Sequence, residues 1–207
     1  MIYSLKDKQV ALLVIDVQRE YFDEKGPAYV PDANATLPNV NSLIDSFRAA
    51  SQPVLFIRHA NRADGSDLGR MGDFSDPDEV DAFVEGTPRV EFEPSLHLGE
   101  GGVVITKRRY SSFTGTELLP VLHTLKVQSV VIAGLMTSYC CESTARDAFN
   151  LDFEVLFVKD AVAGPDLEDT NGNNVPSAAV LASTCTALAS GFAEVVPTEE
   201  VLSRLKG

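Results

Sequence analysis

Cysteine and histidine are scarce in this chain of 207 residues, with three of each. Cys140 and Cys141 are adjacent, so the three thiols make no disulfide framework, and a reducing cytoplasm is the natural setting. No two of His59, His97 and His123 stand at ligand spacing, so no metal site is expected. Basic side chains are few as well. Seventeen Lys and Arg face thirty Asp and Glu, a formal net charge of -13, and such a field holds neither nucleic acid nor an anionic membrane. No apolar run approaches the roughly 18 residues of a membrane span. The opening stretch MIYSLKDKQ lacks the apolar core of a signal peptide. The expectation is a cytoplasmic protein with no membrane partner. No glycine-rich phosphate fingerprint follows the first strand, which leaves nucleotide binding unsupported. No Gly-x-Ser-x-Gly elbow occurs, which removes serine hydrolase chemistry. No repeat, low-complexity tract or linker divides the chain, so residues 1–207 are expected to form one domain.

What is present suits one sizeable core, with 44% hydrophobic residues. Val10 to Ile15 is an unbroken apolar run, as expected of a strand covered on both faces. Val54–Ile57, Val103–Thr106, Ser129–Ala133, Glu154–Val158 and Glu194–Val196 read as five further strands. Helical spacing marks Leu37–Ala50, with Pro38 suited to a first turn, then Glu117–Leu125 capped by Thr116. Val175–Ala189 is another helix, in which Ala179, Ala182, Ala187 and Ala189 permit close approach to the sheet and Cys185 is a core thiol. Thr198 caps a last short helix, and Glu79–Val84 reads as a short one. Residues 164–174 read as a polar loop, as do 20–36, where Tyr21, Phe22 and Tyr29 can line a pocket or pack the loop down. Strands alternating with helices, without a hairpin signal, give a mostly parallel six-stranded sheet with helices on both faces.

Three strands end in groups that carry chemistry. Asp16 follows ALLVI, Lys107 follows GGVVIT, and Cys140 begins a helix just beyond VVIAG. Taken singly, the aspartate also fits a turn, the lysine a surface site and the cysteine a packed core. Together they deliver an acid, a base and a thiol to one sheet edge, where α/β folds place reacting groups. The helix-end position is expected to lower the thiol pKa and favour the thiolate.

The segments DVQREYF, KRRYSSFTGTEL and AGLMTSYCCESTARDA resemble the signatures of the isochorismatase-like, or cysteine hydrolase, superfamily, in order and spacing over nearly the whole chain. The resemblance implies a three-layer α/β/α sandwich and an Asp16–Lys107–Cys140 triad. Its register makes Cys140, not Cys141, the nucleophile. It also implies a cis peptide at Leu135–Met136, with the backbone N–H groups of Met136 and Cys140 forming an oxyanion hole, and a homodimer or larger homo-oligomer. The nicotinamidase branch carries an Asp-x-His pair after its second strand to hold a metal. Arg58 and His59 depart from that pattern, so no metal or other cofactor is expected.

The chemistry expected of these groups is covalent. Cys140 attacks a carbonyl, Asp16 takes the thiol proton and returns it to the departing nitrogen, and Lys107 holds Asp16 ionised. Phe22, Arg109, Tyr110, Phe113 and Tyr139 are candidate substrate contacts, Arg109 for a carboxylate and the aromatics as apolar walls. The expected activity is hydrolysis of a carbon–nitrogen bond in a small carboxamide, carbamoyl or ureido compound. The alternatives are vinyl ether hydrolysis of isochorismate, which needs no thiol, and a catalytically silent scaffold.

Overall fold

Alternate side chains of the first strand enter two different cores. In the computed structural model, which describes residues 3–74, 82–99 and 101–206, β1 (Val10–Ile15) is buried at every position. Its Ala11, Leu13 and Ile15 join one apolar cluster, while Val10, Leu12 and Val14 join another. That is the two-residue period of a strand covered on both faces. The second cluster is closed by α1 (Ala33–Ala49), through Leu37, Val40, Leu43, Ile44 and Phe47, and by Val201 of α5 (Thr198–Lys206). The first is closed by Leu118 and Leu122 of α2 (Leu118–Thr124), Ala145 and Ala148 of α3 (Glu142–Asn150) and Leu188 of α4 (Ser177–Ala189). The result is a three-layer α/β/α sandwich.

Between the layers lie β2 (Val54–His59), β3 (Val103–Lys107), β4 (Ser129–Leu135), β5 (Glu154–Ala163) and β8 (Glu194–Val196). With β1 they form a six-stranded parallel sheet in the order β3-β2-β1-β4-β5-β8. The strand order reverses around β1, and all carboxyl ends lie on one edge. The register sets His59 opposite Lys107 and Ile15 opposite both Ile57 and Gly134. Asp16, the next residue after β1, therefore emerges between the ends of β2 and β4. Its φ of 50° is left-handed, a region aspartate enters more readily than most residues. Gly134 has φ +122°, and a Cβ there would stand 2.0 Å from the Ile15 carbonyl oxygen, so only glycine lets β4 pass so close to β1.

Several elements differ from the sequence expectation. α1 starts at Ala33, so Pro38 lies inside the helix rather than in its first turn. It is tolerated on the exposed face, where Asn34, whose carbonyl loses its partner, is exposed too. β5 continues beyond Val158 because a bulge expels Lys159 and Asp160 and then restores pairing of Val162 and Ala163 with β4. Residues 164–174 are not wholly loop: β6 (Leu167–Glu168) and β7 (Asn174–Val175) pair antiparallel around a turn held by Asp169. In α4, Ala179, Ala182 and Ala189 face solvent and Ala187 is half-buried. Thr184 and Leu188 face the sheet instead, and Cys185 is half-buried rather than a core thiol. Thr198 does not cap its own helix. Asp160 Oδ1 accepts from its N–H and its hydroxyl, so the carboxylate expelled by the bulge holds the start of α5. The short helix expected at Glu79–Val84 falls largely outside the described residues; of it, Val84 pairs with Asn61 in an isolated bridge. No helix among the described residues is long and apolar enough to cross a membrane.

Candidate active site

The ends of four neighbouring strands bring Asp16, His59, Lys107 and Cys140 together. Lys107 Nζ pairs with Asp16 Oδ2 at 2.7 Å, and neither side chain has any exposed surface. The same ammonium donates to Cys140 Sγ at 3.2 Å and lies 3.2 Å from His59 Nδ1. Cys140 sits in a wide π-turn, Thr137–Cys141, between β4 and α3. The preceding Leu135–Met136 peptide is cis. Adjacent residues of a helical turn point about 100° apart, and the two thiols diverge accordingly. Cys140 lines a cavity, whereas Cys141 has no exposed surface and belongs to the core against α2, α3 and α4.

Burial dominates the electrostatics. It raises the Asp16 carboxyl above the ordinary aspartate value, with the Lys107 charge opposing. It pulls Lys107 down, but the charges of Asp16 and Cys140 outweigh it and leave the ammonium raised and protonated. The Cys140 thiol is pushed up to about 12 by burial, with Lys107 opposing and Asp16 adding to the rise. The expected thiolate is thus corrected: at neutral pH the resting group is a thiol, with Lys107 Nζ donating to its sulfur. Desolvation of the sulfur anion outweighs the opposing charge of Lys107. His59 is held well below the ordinary histidine range by burial and then by Lys107, so its ring is neutral.

The cavity above Cys140 has a volume of about 700 Å³. Tyr21, Tyr29, Phe83, Tyr110, Tyr139 and Met136 give it apolar walls, and His59 and Asn61 add polar atoms. Tyr110 and Tyr139 meet at a centroid distance of 5.4 Å, Tyr21 and Phe83 at 5.2 Å. Of the five sequence-derived substrate contacts, Tyr110 and Tyr139 line it and three do not. Phe22 packs under the loop after β1. Phe113 stacks on Phe153 at 6.1 Å, behind α2 and α3. Arg109 turns away to donate to the carbonyls of Asp67 and Arg108 at 2.6 and 2.5 Å. Its guanidinium lies against Gly69, where a Cβ would stand 2.6 Å from Nη2. Sequence reasoning overlooked Asn61, Phe83 and the turn carrying Leu68, Met71 and Phe74. The one signal for Asn61 was its place two residues beyond a histidine at a strand end. Among the described residues, no three His, Cys, Asp or Glu side chains converge as a metal site would.

The fold and this cluster define a class: an α/β/α enzyme whose polar centre lies at the carboxyl edge of the sheet, beside the strand-order reversal. The isochorismatase domain family matches residues 10–187, and the chain belongs to the isochorismatase-like (cysteine hydrolase) superfamily. It is 33% identical to Nicotinamidase 3 of Arabidopsis thaliana over 97% of this chain and 90% of that one. It is 25% identical to the ureidoacrylate amidohydrolase of Rhizobium rhizogenes over 95% of this chain and 88% of that one. The crystal structure of a cysteine hydrolase from Pseudomonas syringae pv. phaseolicola superposes with a TM-score of 0.94 at 31% identity, covering 99% of this chain and 96% of that one. The chain is a hydrolase of this family.

Proposed function

We infer that the chain, read as one domain over residues 1–207, is a metal-independent cysteine amidohydrolase. It cleaves a small carboxamide, carbamoyl or ureido compound through a thioester on Cys140. The observation that carries the reading is a buried thiol at the floor of a cavity that accepts from an ammonium, itself ion-paired with the carboxylate of Asp16. As Cys140 Sγ bonds to the carbonyl carbon, its proton passes to Asp16 and the carbonyl electrons move to oxygen, where the N–H groups of Met136 and Cys140 receive them. Collapse re-forms the carbonyl, and the carbon–nitrogen bond breaks as Asp16 returns the proton to nitrogen, releasing ammonia or an amine. Water then attacks the thioester, giving its proton to Asp16 and thence to sulfur, and the carboxylic acid leaves. Lys107 stays protonated throughout and keeps Asp16 ionised between transfers.

Metal independence is supported by the setting of His59, whose Nδ1 faces an ammonium at 3.2 Å. A bound dication there would be repelled. Hydrolysis of a vinyl ether would use proton donation from Asp16 and leave Cys140 without a task. Assembly as a homo-oligomer, implied by the family resemblance, belongs to the same reading, and light scattering that shows monomer alone removes it. The principal test is an ammonia-release screen over small amides, carbamoyl amino acids and ureido acids, run beside isochorismate with Cys140→Ala as control. Ammonia release by the wild type alone is expected. Rapid isochorismate turnover that survives in Cys140→Ala overturns the amidohydrolase reading.

A further inference from the structure

The hydrogen-bond ladder between β1 and β2 ends at Asp16. Its last rung runs from Asp16 N–H to the Ile57 carbonyl at 3.0 Å. Regular parallel pairing would continue from His59 N–H to the Asp16 carbonyl. That carbonyl instead accepts from Gln18 N–H at 2.8 Å, within the turn that the left-handed Asp16 opens. A side chain replaces the missing rung. Gln18 Oε1 accepts from His59 N–H at 2.9 Å, and Gln18 Nε2 donates to the His59 carbonyl at 2.8 Å. The same Nε2 donates to the Val90 carbonyl at 2.6 Å, so this carboxamide bonds to main chain at both ends. Gln18 has no exposed surface. Its backbone neighbours are held by the segment beyond Val90: Arg19 N–H donates to the Glu91 carbonyl at 2.9 Å and Glu93 N–H to the Val17 carbonyl at 3.0 Å. On its other side His59 pairs with Lys107 in the β2–β3 register, and Ala60 N–H donates to the Lys107 carbonyl at 3.2 Å.

We propose that Gln18 is a positioning residue: its carboxamide stands in for a backbone peptide and sets the separation of Asp16 and Lys107 across the end of β2. The two side chains meet at 2.7 Å although β2 lies between their strands. Asp16 turns out of the ladder without stranding buried backbone because Gln18 takes over the N–H and the carbonyl of His59. Without the carboxamide, those two groups and the Val90 carbonyl lose this partner. The end of β2, to which Lys107 is tied by register, is then free to shift against Asp16. A displacement of about 1 Å at a reacting group costs on the order of a hundredfold in rate. The turnover assay rests on the amidohydrolase reading, whereas alkylation of Cys140 tests Gln18 without any substrate. Gln52 provides an internal comparison. At the amino end of β1 its Oε1 accepts from Val10 N–H at 2.9 Å and its Nε2 donates to the Lys8 carbonyl at 3.0 Å, the same splice on the opposite edge of the sheet.

Gln18→Met keeps the length of the side chain and removes its hydrogen bonds. It should lower kcat about a hundredfold with KM within about threefold of the wild type. The acid limb of kcat/KM should move to higher pH, because Lys107 is what opposes the raised Asp16 carboxyl. Alkylation of Cys140 by iodoacetamide at a fixed alkaline pH should change by more than about threefold, since both charges act on the thiol. Gln52→Met should also lower the urea midpoint, yet leave all three readouts as in the wild type. Should Gln18→Met not fold, Gln18→Glu carries the test. Protonated, its carboxyl accepts from His59 N–H and donates to one carbonyl; ionised, it faces the carbonyls of His59 and Val90 with no proton to give. Its kcat relative to the wild type should therefore fall as pH rises. Cys140 alkylation that responds to Gln18→Met, in a protein that releases ammonia from no amide, upholds Gln18 and sinks the amidohydrolase reading. Wild-type kcat, acid limb and alkylation rate in Gln18→Met overturn the role of Gln18. So does an equal loss in Gln52→Met, or a Gln18→Glu to wild-type ratio that pH leaves unchanged.

Discussion

Asp16 and Lys107 lie far apart in the sequence and meet as an ion pair of 2.7 Å with no surface on either side chain. A pair so enclosed binds the ends of β1 and β3 across the intervening β2, and removing one partner strands the other charge in a dry site. Asp16→Asn or Lys107→Met should each cost on the order of 3–5 kcal/mol of stability. The double variant should cost much less than the sum, because no uncompensated charge remains. Urea midpoints at constant m measure this. Additive losses would mean that the two charges are not energetically coupled. Activity should be lost in all three.

Cys140 and Cys141 separate by consequence. Cys140→Ala should abolish ammonia release while leaving the thermal midpoint nearly unchanged, since its sulfur faces the cavity. Cys141→Ala empties a core position with no exposed surface and should cost about 1–2 kcal/mol of stability with turnover retained. Peptide mapping after stoichiometric alkylation gives an independent answer: label on Cys141 alone contradicts the assignment.

The positions of these groups were legible because a charged or thiol residue that ends an apolar strand is carried to the sheet edge by the strand itself. Ile15 to Asp16, Thr106 to Lys107 and Gly134 onward to Cys140 all obey that geometry. Side chains one or two residues further on were not legible. Once the chain leaves the strand, direction depends on the loop: Arg109 turns beneath residues 67–69 and Phe113 turns behind α2, while Tyr110 between them reaches the cavity. The ionisation of Cys140 could not be read from the helix end, because burial outweighs it and burial is set by the whole fold. Asn61 escaped notice for a related reason. Its amide meets His59 and the cavity by a turn of the chain beyond the end of β2, which the fold sets and spacing does not.

The thiol at about 12 has a kinetic signature. Below its pKa the thiolate fraction grows about tenfold per pH unit, so inactivation by iodoacetamide should keep rising through pH 9.0, the ordinary thiol value, without levelling there. Lys107 opposes the rise, so Lys107→Met should slow alkylation further at any fixed pH. Turnover should behave differently, because Asp16 removes the proton only as sulfur bonds to carbon. It requires ionised Asp16, whose pKa is raised, so kcat/KM should fall on acidification at a pH above the ordinary 3.8. A plateau in alkylation near neutrality would mean a thiolate at rest.

Metal chelation supplies the remaining prediction. The neutral ring of His59 is occupied on both nitrogens, by Lys107 at 3.2 Å and by Asn61 at 3.3 Å. To ligate a cation it would have to release one of these contacts and accept a dication close to an ammonium that stays protonated. Coulomb repulsion of that kind amounts to several kcal/mol even at an effective dielectric of about 20. Exhaustive dialysis against a chelator should therefore leave kcat and KM within about twofold of the starting enzyme, a change of under 0.5 kcal/mol. His59→Leu should make the enzyme no more sensitive to chelation than the wild type. Loss of activity on chelation, with recovery on adding zinc or manganese, would show that His59 swings away from Lys107 to hold a metal, and the covalent route without metal would then have to be abandoned.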